Sequence, residues 1–532
     1  MSLRLFLNNN VETELVEVVE DLPNDNVYEL ELEDLLTDFG SFDFETTKDL
    51  KPRSFASLQL RARNASRALL NDNESHILIL CGSSYIDNLG TVKRLLLDVG
   101  GIDAKIVYQS TKAELFGKDG QGGILSQGGI FIIPAALILN HPQWLFKLDE
   151  LLARGNLRLV LCGDAVDASA LQLTWPTTEN ALHADLVLEF VSKGGGNLMG
   201  ALVADFCKSY NLKPFDAKAI ELLCIYSCRQ SGDRRWLGLP EMTLRAFCRE
   251  ASLYAKGEVV GVREVLRAIA ADDFRSNYLA ESQLRDHRDR QILIATSGEV
   301  VGQINGLSVI ETTGTSYEYG EPVRITATLR AGGEGDVIDI ERKAELAGQI
   351  HAKAMMIING YLTREFGYEQ PLPVSASLVF EQSYSEIDGD SASLTGLCAV
   401  ISAMANVPIR QDLAVTGAVD QFGDVQPVGG VNEKIEGFFR ICRLHGLTGT
   451  QGVVIPRSCV SQLVLRPSVL NAVKKGMFHI YAVEHVKGAV KILTSIPWGQ
   501  SDDENTVCGS ICARLDELSM TRDHRPWWQF WG

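Results

Sequence analysis

The chain has no surplus of positive charge: 50 Lys and Arg stand against 68 Asp and Glu in 532 residues, a net charge of −18. A protein that grips nucleic acid through phosphates needs a basic stripe, and none is present, which argues against a nucleic-acid partner. No run approaches the roughly eighteen apolar residues of a transmembrane helix. The start, Met1-Ser2-Leu3-Arg4-Leu5-Phe6-Leu7, is too short for the apolar core of an export signal and gives way to Asn8-Asn9-Asn10 and acidic residues. None of the eleven cysteines forms a C-x-x-C pair. Cys224 with Cys228 and Cys508 with Cys512 are spaced for one helix face, so the thiols are expected reduced and packed as small hydrophobes, without a metal site, in a cytoplasmic protein.

A phosphate-binding loop is missing as well. The strand-like His76-Ile77-Leu78-Ile79-Leu80-Cys81-Gly82 is followed by Ser83-Ser84-Tyr85-Ile86-Asp87-Asn88-Leu89, where Gly-x-x-x-x-Gly-Lys-Ser/Thr would be required. Asp87, Asn88 and Leu89 replace the second glycine, the lysine and the hydroxyl. A second strand-like run, Gly128-Gly129-Ile130-Phe131-Ile132-Ile133, ends in Pro134-Ala135 rather than in acids able to hold Mg²⁺.

What is present is the composition of a large globular protein, 45% hydrophobic and 22% charged, which is too apolar for general disorder. Residues 1–51 are acidic and weakly periodic and read as a loosely docked arm. Over 52–207 apolar strand-like runs alternate with helical patterns, an α/β layer architecture. Residues 208–290 read as a helical subdomain and connector, with Arg245 and Arg249 on one helix. A further α/β segment spans 291–497, and 498–532 is a polar tail that begins Ser501-Asp502-Asp503-Glu504 and ends in the aromatic cluster Trp527-Trp528-Gln529-Phe530-Trp531.

Chemistry concentrates in that fourth segment. A strand is predicted over Pro373–Glu381, then an acidic turn, then a small-residue helix over Ala392–Ala405, which places Ser391 at a helix start where unpaired N–H groups can stabilise an oxyanion. Gly389 lets the turn form, and Asp388 is close enough to orient a partner. Lys434 follows Gly429-Gly430 in the first turn of an amphipathic helix for which Asn432 is the predicted N-cap. The helix dipole and apolar neighbours push a lysine pKa down there, as a general base needs. Ser391 and Lys434 thus form a candidate nucleophile and base.

The stretch closely resembles the proteolytic domain of the Lon proteases. The resemblance rests on Asp388-Gly389-Asp390-Ser391-Ala392, on Ala414-Val415-Thr416-Gly417 and on Gly429-Gly430-Val431-Asn432-Glu433-Lys434, in the family's order, and is densest over 302–456, including Asp339-Ile340-Glu341-Arg342. Phe380-Glu381-Gln382-Ser383-Tyr384 stands where the main bacterial branch has His-x-His, so the chain looks closer to the archaeal-type and Lon-related branch. The resemblance implies a Ser391–Lys434 dyad, Thr416 beside it, Glu381 as a secondary site residue, and a ring, most simply a hexamer, acting on polypeptides; the backbone N–H groups around Asp390 and Ser391 are the candidate oxyanion hole.

It also implies an AAA+ motor. With the phosphate and Mg²⁺ residues missing, the expected architecture is multidomain α/β and α+β: a degenerate AAA+-like α/β domain with a helical subdomain, followed by a Lon-type α+β proteolytic domain; Arg249 reads as a solvated arginine of an amphipathic helix, the vestige of a nucleotide sensor being the lesser alternative. The expected activity is that of a serine endopeptidase without ATP hydrolysis, with ATP and Mg²⁺ entering only through family homology. Unfolded substrates would enter unaided or come from an adaptor or unfoldase. A conventional ATP-dependent protease with an unusual nucleotide site, and a non-catalytic oligomeric scaffold or adaptor, remain open.

Overall fold

The computed structural model describes residues 26–72, 76–82, 88–108, 110–118, 121–238, 241–312, 317–367, 371–383 and 387–523. The beginning of the acidic arm, the Ser83–Asp87 run, residues 384–386 and the terminal aromatic cluster lie outside the described residues. The chain divides into two compact units, one made of 26–35, 279–460 and 465–523, the other of 36–278 and 461–464.

The chain enters through a short strand, β1 (Val27–Glu29), that belongs to the first unit. The second unit is built on five parallel strands, β2 (Ile77–Cys81), β3 (Lys105–Ile106), β4 (Gly129–Pro134), β5 (Leu157–Gly163) and β6 (Leu182–Asp185), in the order β3-β4-β5-β2-β6. Their near-continuous apolar runs fit a sheet covered on both faces. Leu78, Leu80 and Val160 face one core, while Ile77, Ile79 and Leu159 face another. Helices α1 (Gly196–Tyr210), α2 (Ala217–Ser231), α3 (Glu241–Tyr254) and α4 (Val262–Ser276) form the helical part. It starts earlier than residue 208 and contains one short strand, Trp236–Gly238, paired with Glu189–Val191. Cys224 and Cys228 are buried on α2, and Arg249 is solvent-exposed on α3.

The first unit has a mixed seven-stranded sheet. Its strands are β7 (Gln303–Glu311), β8 (Glu318–Asp339), β9 (Val374–Phe380), β10 (Leu413–Val415), β11 (Gly452–Pro456) and β12 (His479–Val483), in the order β1-β12-β11-β10-β7-β8-β9. Helix α5 (Gln349–Phe366) precedes β9, and α6 (Ser393–Ala405) and α7 (Val431–His445) carry the predicted site. All thirteen residues of α6 are buried. A helix apolar or small on every side sits inside a core, and here it makes a rigid platform just after Ser391.

Two expectations at the termini change. Part of the predicted arm is a paired strand: Val27, Tyr28 and Glu29 align antiparallel with Val483, Ala482 and Tyr481 of β12, and the Arg457 guanidinium lies 3.6 Å from the Tyr28 ring centroid. The predicted tail is likewise part of the unit as far as residue 523. Helix α8 (Val507–Asp523) places Val507, Ile511, Leu515 and Leu518 on one stripe, with Val507 and Ile511 fully buried against the core that includes α6. Arg514 Nη1 donates to the Ala403 carbonyl at 2.9 Å, satisfying the C-terminal end of α6. Cys508 and Cys512 on α8 are only half-buried. All eleven cysteines are free thiols, and no helix among the described residues is long and apolar enough to cross a membrane.

Ile511→Ala is expected to destabilise this unit by about 2–5 kcal/mol through the cavity it leaves. Urea unfolding followed by tryptophan fluorescence measures it; an unchanged midpoint would show that α8 is not part of the core.

Candidate active site

Lys434 owes its position to glycine. Helix α7 crosses β8 so closely that a Cβ on Gly437 would collide with the Gly320 backbone, and a Cβ on Gly320 with the Glu433 carbonyl and the Lys434 amide. Gly430, not Asn432, is the N-cap: it has φ +63° and faces Val309 where a side chain would clash, so the helix starts at Val431. Lys434 therefore lies in the first turn, as predicted, and is only 3% exposed. Burial pushes its amine down to about 8, while Cys459, Asp390 and Glu433 pull it partly back. Among the described residues no carboxylate forms an ion pair with its ammonium. Burial also raises the Cys459 thiol, whose sulfur accepts from the Val428 amide at 3.4 Å.

Ser391 lies two residues before α6, which begins at Ser393. Its carbonyl accepts from the Gly417 amide at 2.9 Å and from Thr416 Oγ1 at 3.3 Å. Thr416, fully buried just past β10, thus holds the backbone of Ser391. The next turn is tied down by Ser393 N–H to the Asp390 carbonyl and Leu394 N–H to the Gly417 carbonyl. Among the described residues, the amides of Asp390, Ser391 and Ala392 donate to no protein acceptor.

Ser391, Lys434, Asp388, Gly389 and Glu381 all line one cleft of about 580 Å³, closed on its other side by Val309, Ile310 and Phe380. No hydrogen bond joins Ser391 Oγ to Lys434 Nζ; the two groups share the cleft, an arrangement usual before substrate binds. Asp390 and Thr416 are not among the residues that line it.

Known proteins resemble this chain in both of its units. Residues 382–494 match the family profile described as the Lon protease (S16) C-terminal proteolytic domain, and 214–275 match the archaeal LonB AAA+ ATPase LID domain. A putative Lon protease homolog of Escherichia coli K12 is 37% identical over 443 residues, covering 77% of this chain and 75% of that protein. This chain belongs to the Lon protease family. A putative Lon protease homolog of Haemophilus influenzae is 45% identical over 278 residues, 52% of this chain and 46% of that one. An archaeal Lon protease of Archaeoglobus fulgidus is 29% identical over 273 residues, 50% of this chain and 41% of that one. The chain therefore spans less than half the length of the latter two Lon relatives.

Against the roles that the Lon resemblance implied, two supporting residues are placed differently. Asp388 does not reach toward Lys434: its Oδ1 accepts from the Ile350 and His351 amides at 3.0 and 3.4 Å, capping α5. A carboxylate beside a helix start takes up the unpaired amides there, which Asp388 does while still exposed. Glu381 Oε1 accepts from Thr326 Oγ1 at 2.8 Å, and its amide donates to the Arg324 carbonyl, which fastens β9 to β8. Asp390 is exposed and acts on Lys434 through charge alone. Gly320, Gly437 and Cys459 carry no local signal of their role, because each is defined by a partner distant in sequence. Among the described residues no group of three His, Cys, Asp or Glu side chains is arranged to hold a metal.

Only the neutral amine of Lys434 can accept a proton, so kcat/KM is expected to rise tenfold per pH unit below about 8 and to level off above it. A profile already flat from pH 6 would contradict a lysine base. Gly437→Ala is expected to lower stability by about 1–3 kcal/mol, because α7 must move off β8, and to reduce peptidase activity by more than that loss explains. Thermal melting and peptide hydrolysis on the same sample check it.

Proposed function

We propose that the chain is a serine endopeptidase that hydrolyses unfolded or delivered polypeptides with Ser391 as nucleophile and Lys434 as general base, and that it does so without hydrolysing ATP. The observation that carries this is the meeting, in one cleft, of a serine on a rigid turn and a lysine whose burial brings its amine down to about 8. Lys434 Nζ takes the Ser391 proton as Oγ attacks the scissile carbonyl carbon. The proton then passes to the departing amine as the C–N bond breaks, leaving an acyl ester on Ser391. Water attacks that ester, Lys434 again accepting a proton, and the carboxylate product leaves as Ser391 regains its hydrogen. The amides around Asp390 and Ser391, unpaired among the described residues, are the candidate donors to the oxyanion.

The absence of ATP use is supported by the charge at the carboxyl ends of β2, β5 and β6, where an open parallel sheet binds ligands. Asp185, Asp164 and Asp167 stand at these strand ends; burial, and then these carboxylates, push the Cys81 thiol up, surroundings that disfavour phosphates even with Arg61 3.6 Å from Asp185. Asp164 also caps the helix Ala165–Thr174 itself, accepting from the Asp167 amide. By the same proposal no metal or nucleotide cofactor takes part, the protein is cytoplasmic, and it works as a homo-oligomeric ring, a hexamer by family analogy, fed by an adaptor or unfoldase.

Fluorescently labelled casein tests the proposal. Ser391→Ala should lose about a thousandfold or more in rate, and the wild-type rate should not change with ATP and Mg²⁺. Cleavage only with hydrolysable nucleotide would establish an ATP-dependent enzyme instead, and no cleavage under any condition would favour a scaffold.

A further inference from the structure

The segment containing Asp339-Ile340-Glu341-Arg342 has no part in the proposed chemistry, yet it contacts the nucleophile loop three times. Glu341, 3% exposed, accepts the Phe380 amide on Oε1 at 3.0 Å, where the loop leaves β9. Ile387 donates to the Leu346 carbonyl at 2.8 Å and accepts from the Gly348 amide at 2.9 Å. Asp388 then takes the Ile350 and His351 amides. From Asp388 the chain needs only Gly389 and Asp390 to reach Ser391.

The cradle is itself closed by a buried pair. His351 Nε2 lies 3.2 Å from Asp339 Oδ2, with the two side chains 3% and 6% exposed. Asp339 Oδ1 meanwhile accepts the Glu341 amide. The His351 ring also packs edge-on against Phe380, centroids 5.4 Å apart at 74°. Burial alone would push the Asp339 carboxyl up, but His351 and the Arg342 and Glu341 amides outweigh it and hold it below its ordinary value. A buried pair of this kind has little to offer stability over an apolar pair of similar shape, so a role in fixing geometry is the better account of it.

We propose that His351 and Asp339 are positioning residues for the peptidase reaction: together they fix the start of α5, which holds Asp388 and through it the turn that presents Ser391. Neither touches the cleft, so they act on the nucleophile's placement and not on substrate. This inference rests on Ser391 being the nucleophile.

The test is a mutant cycle on the full chain with a fluorogenic peptide, reading kcat and KM separately. His351→Ala should lower kcat about tenfold, the scale expected when a reacting atom is displaced by a fraction of an ångström, with KM within about twofold because the cleft lining is intact. His351→Gln, which keeps a polar side chain within reach of Asp339, should recover most of kcat. Asp388→Ala should reproduce the loss, and His351→Ala combined with Asp388→Ala should lose no more than either alone, because both cut one linkage. Asp339→Asn, which preserves shape, takes the place of His351→Ala in the cycle if that variant does not fold. Wild-type kcat in a folded His351→Ala, or losses that multiply in the double variant, would overturn the inference. Ser391→Ala separates the two levels: if it still cleaves, the dyad itself fails, whereas a dead Ser391→Ala beside an additive cycle removes only the positioning role.

Discussion

The site depends on the contact of two glycines. Gly437 on α7 and Gly320 on β8 bring a helix backbone onto a strand backbone with no side chain between them. That approach sinks the first turn of α7 into the protein and takes the Lys434 stem and amine out of water. A lysine at the exposed end of the same helix, at Arg443 or Leu444, would be an ordinary solvated cation. The proposed chemistry follows from packing: the amine of Lys434 is lowered by desolvation, and desolvation follows from the absence of two β-carbons.

The proposed nucleophile is held by the opposite strategy. Ser391 sits on a turn with few side chains of its own to pack, so its position comes from hydrogen bonds at both ends. Downstream, Thr416 and Gly417 bind its carbonyl and the fully buried α6 anchors the turn. Upstream, Glu341, Ile387 and Asp388 tie the loop to the start of α5. The turn's own amides stay available for a reaction intermediate, which a helix-embedded serine would not permit.

Much of this was legible in the sequence, for a local reason. Ser391, Thr416 and Lys434 are marked by short motifs whose residues are neighbours in the chain, and the flanking strand and helix follow period and composition. What stayed hidden was set by tertiary partners. Asp388 looks the same in sequence whether it faces a lysine or the amides of a helix that begins far upstream. Asn432 is a good capping residue, but Gly430 can adopt φ +63° and ends the approach first. The tail was misplaced because Ser501-Asp502-Asp503-Glu504 announces a linker, while the stripe Val507, Ile511, Leu515, Leu518 that follows belongs to the core. The parallel sheet of the other unit was legible from its apolar runs, but the carboxylates at its strand ends come together only through strand order.

The central claim is that Lys434 is a buried amine near neutrality. Carbon-13 NMR of ε-labelled lysines, with Lys434→Met to assign the resonance, measures it directly. The account predicts one lysine titrating near pH 8 and missing from the variant. A Lys434 resonance titrating at its ordinary value near 10.5 would mean that the amine is solvated and charged, and the base in this site would have to be another group.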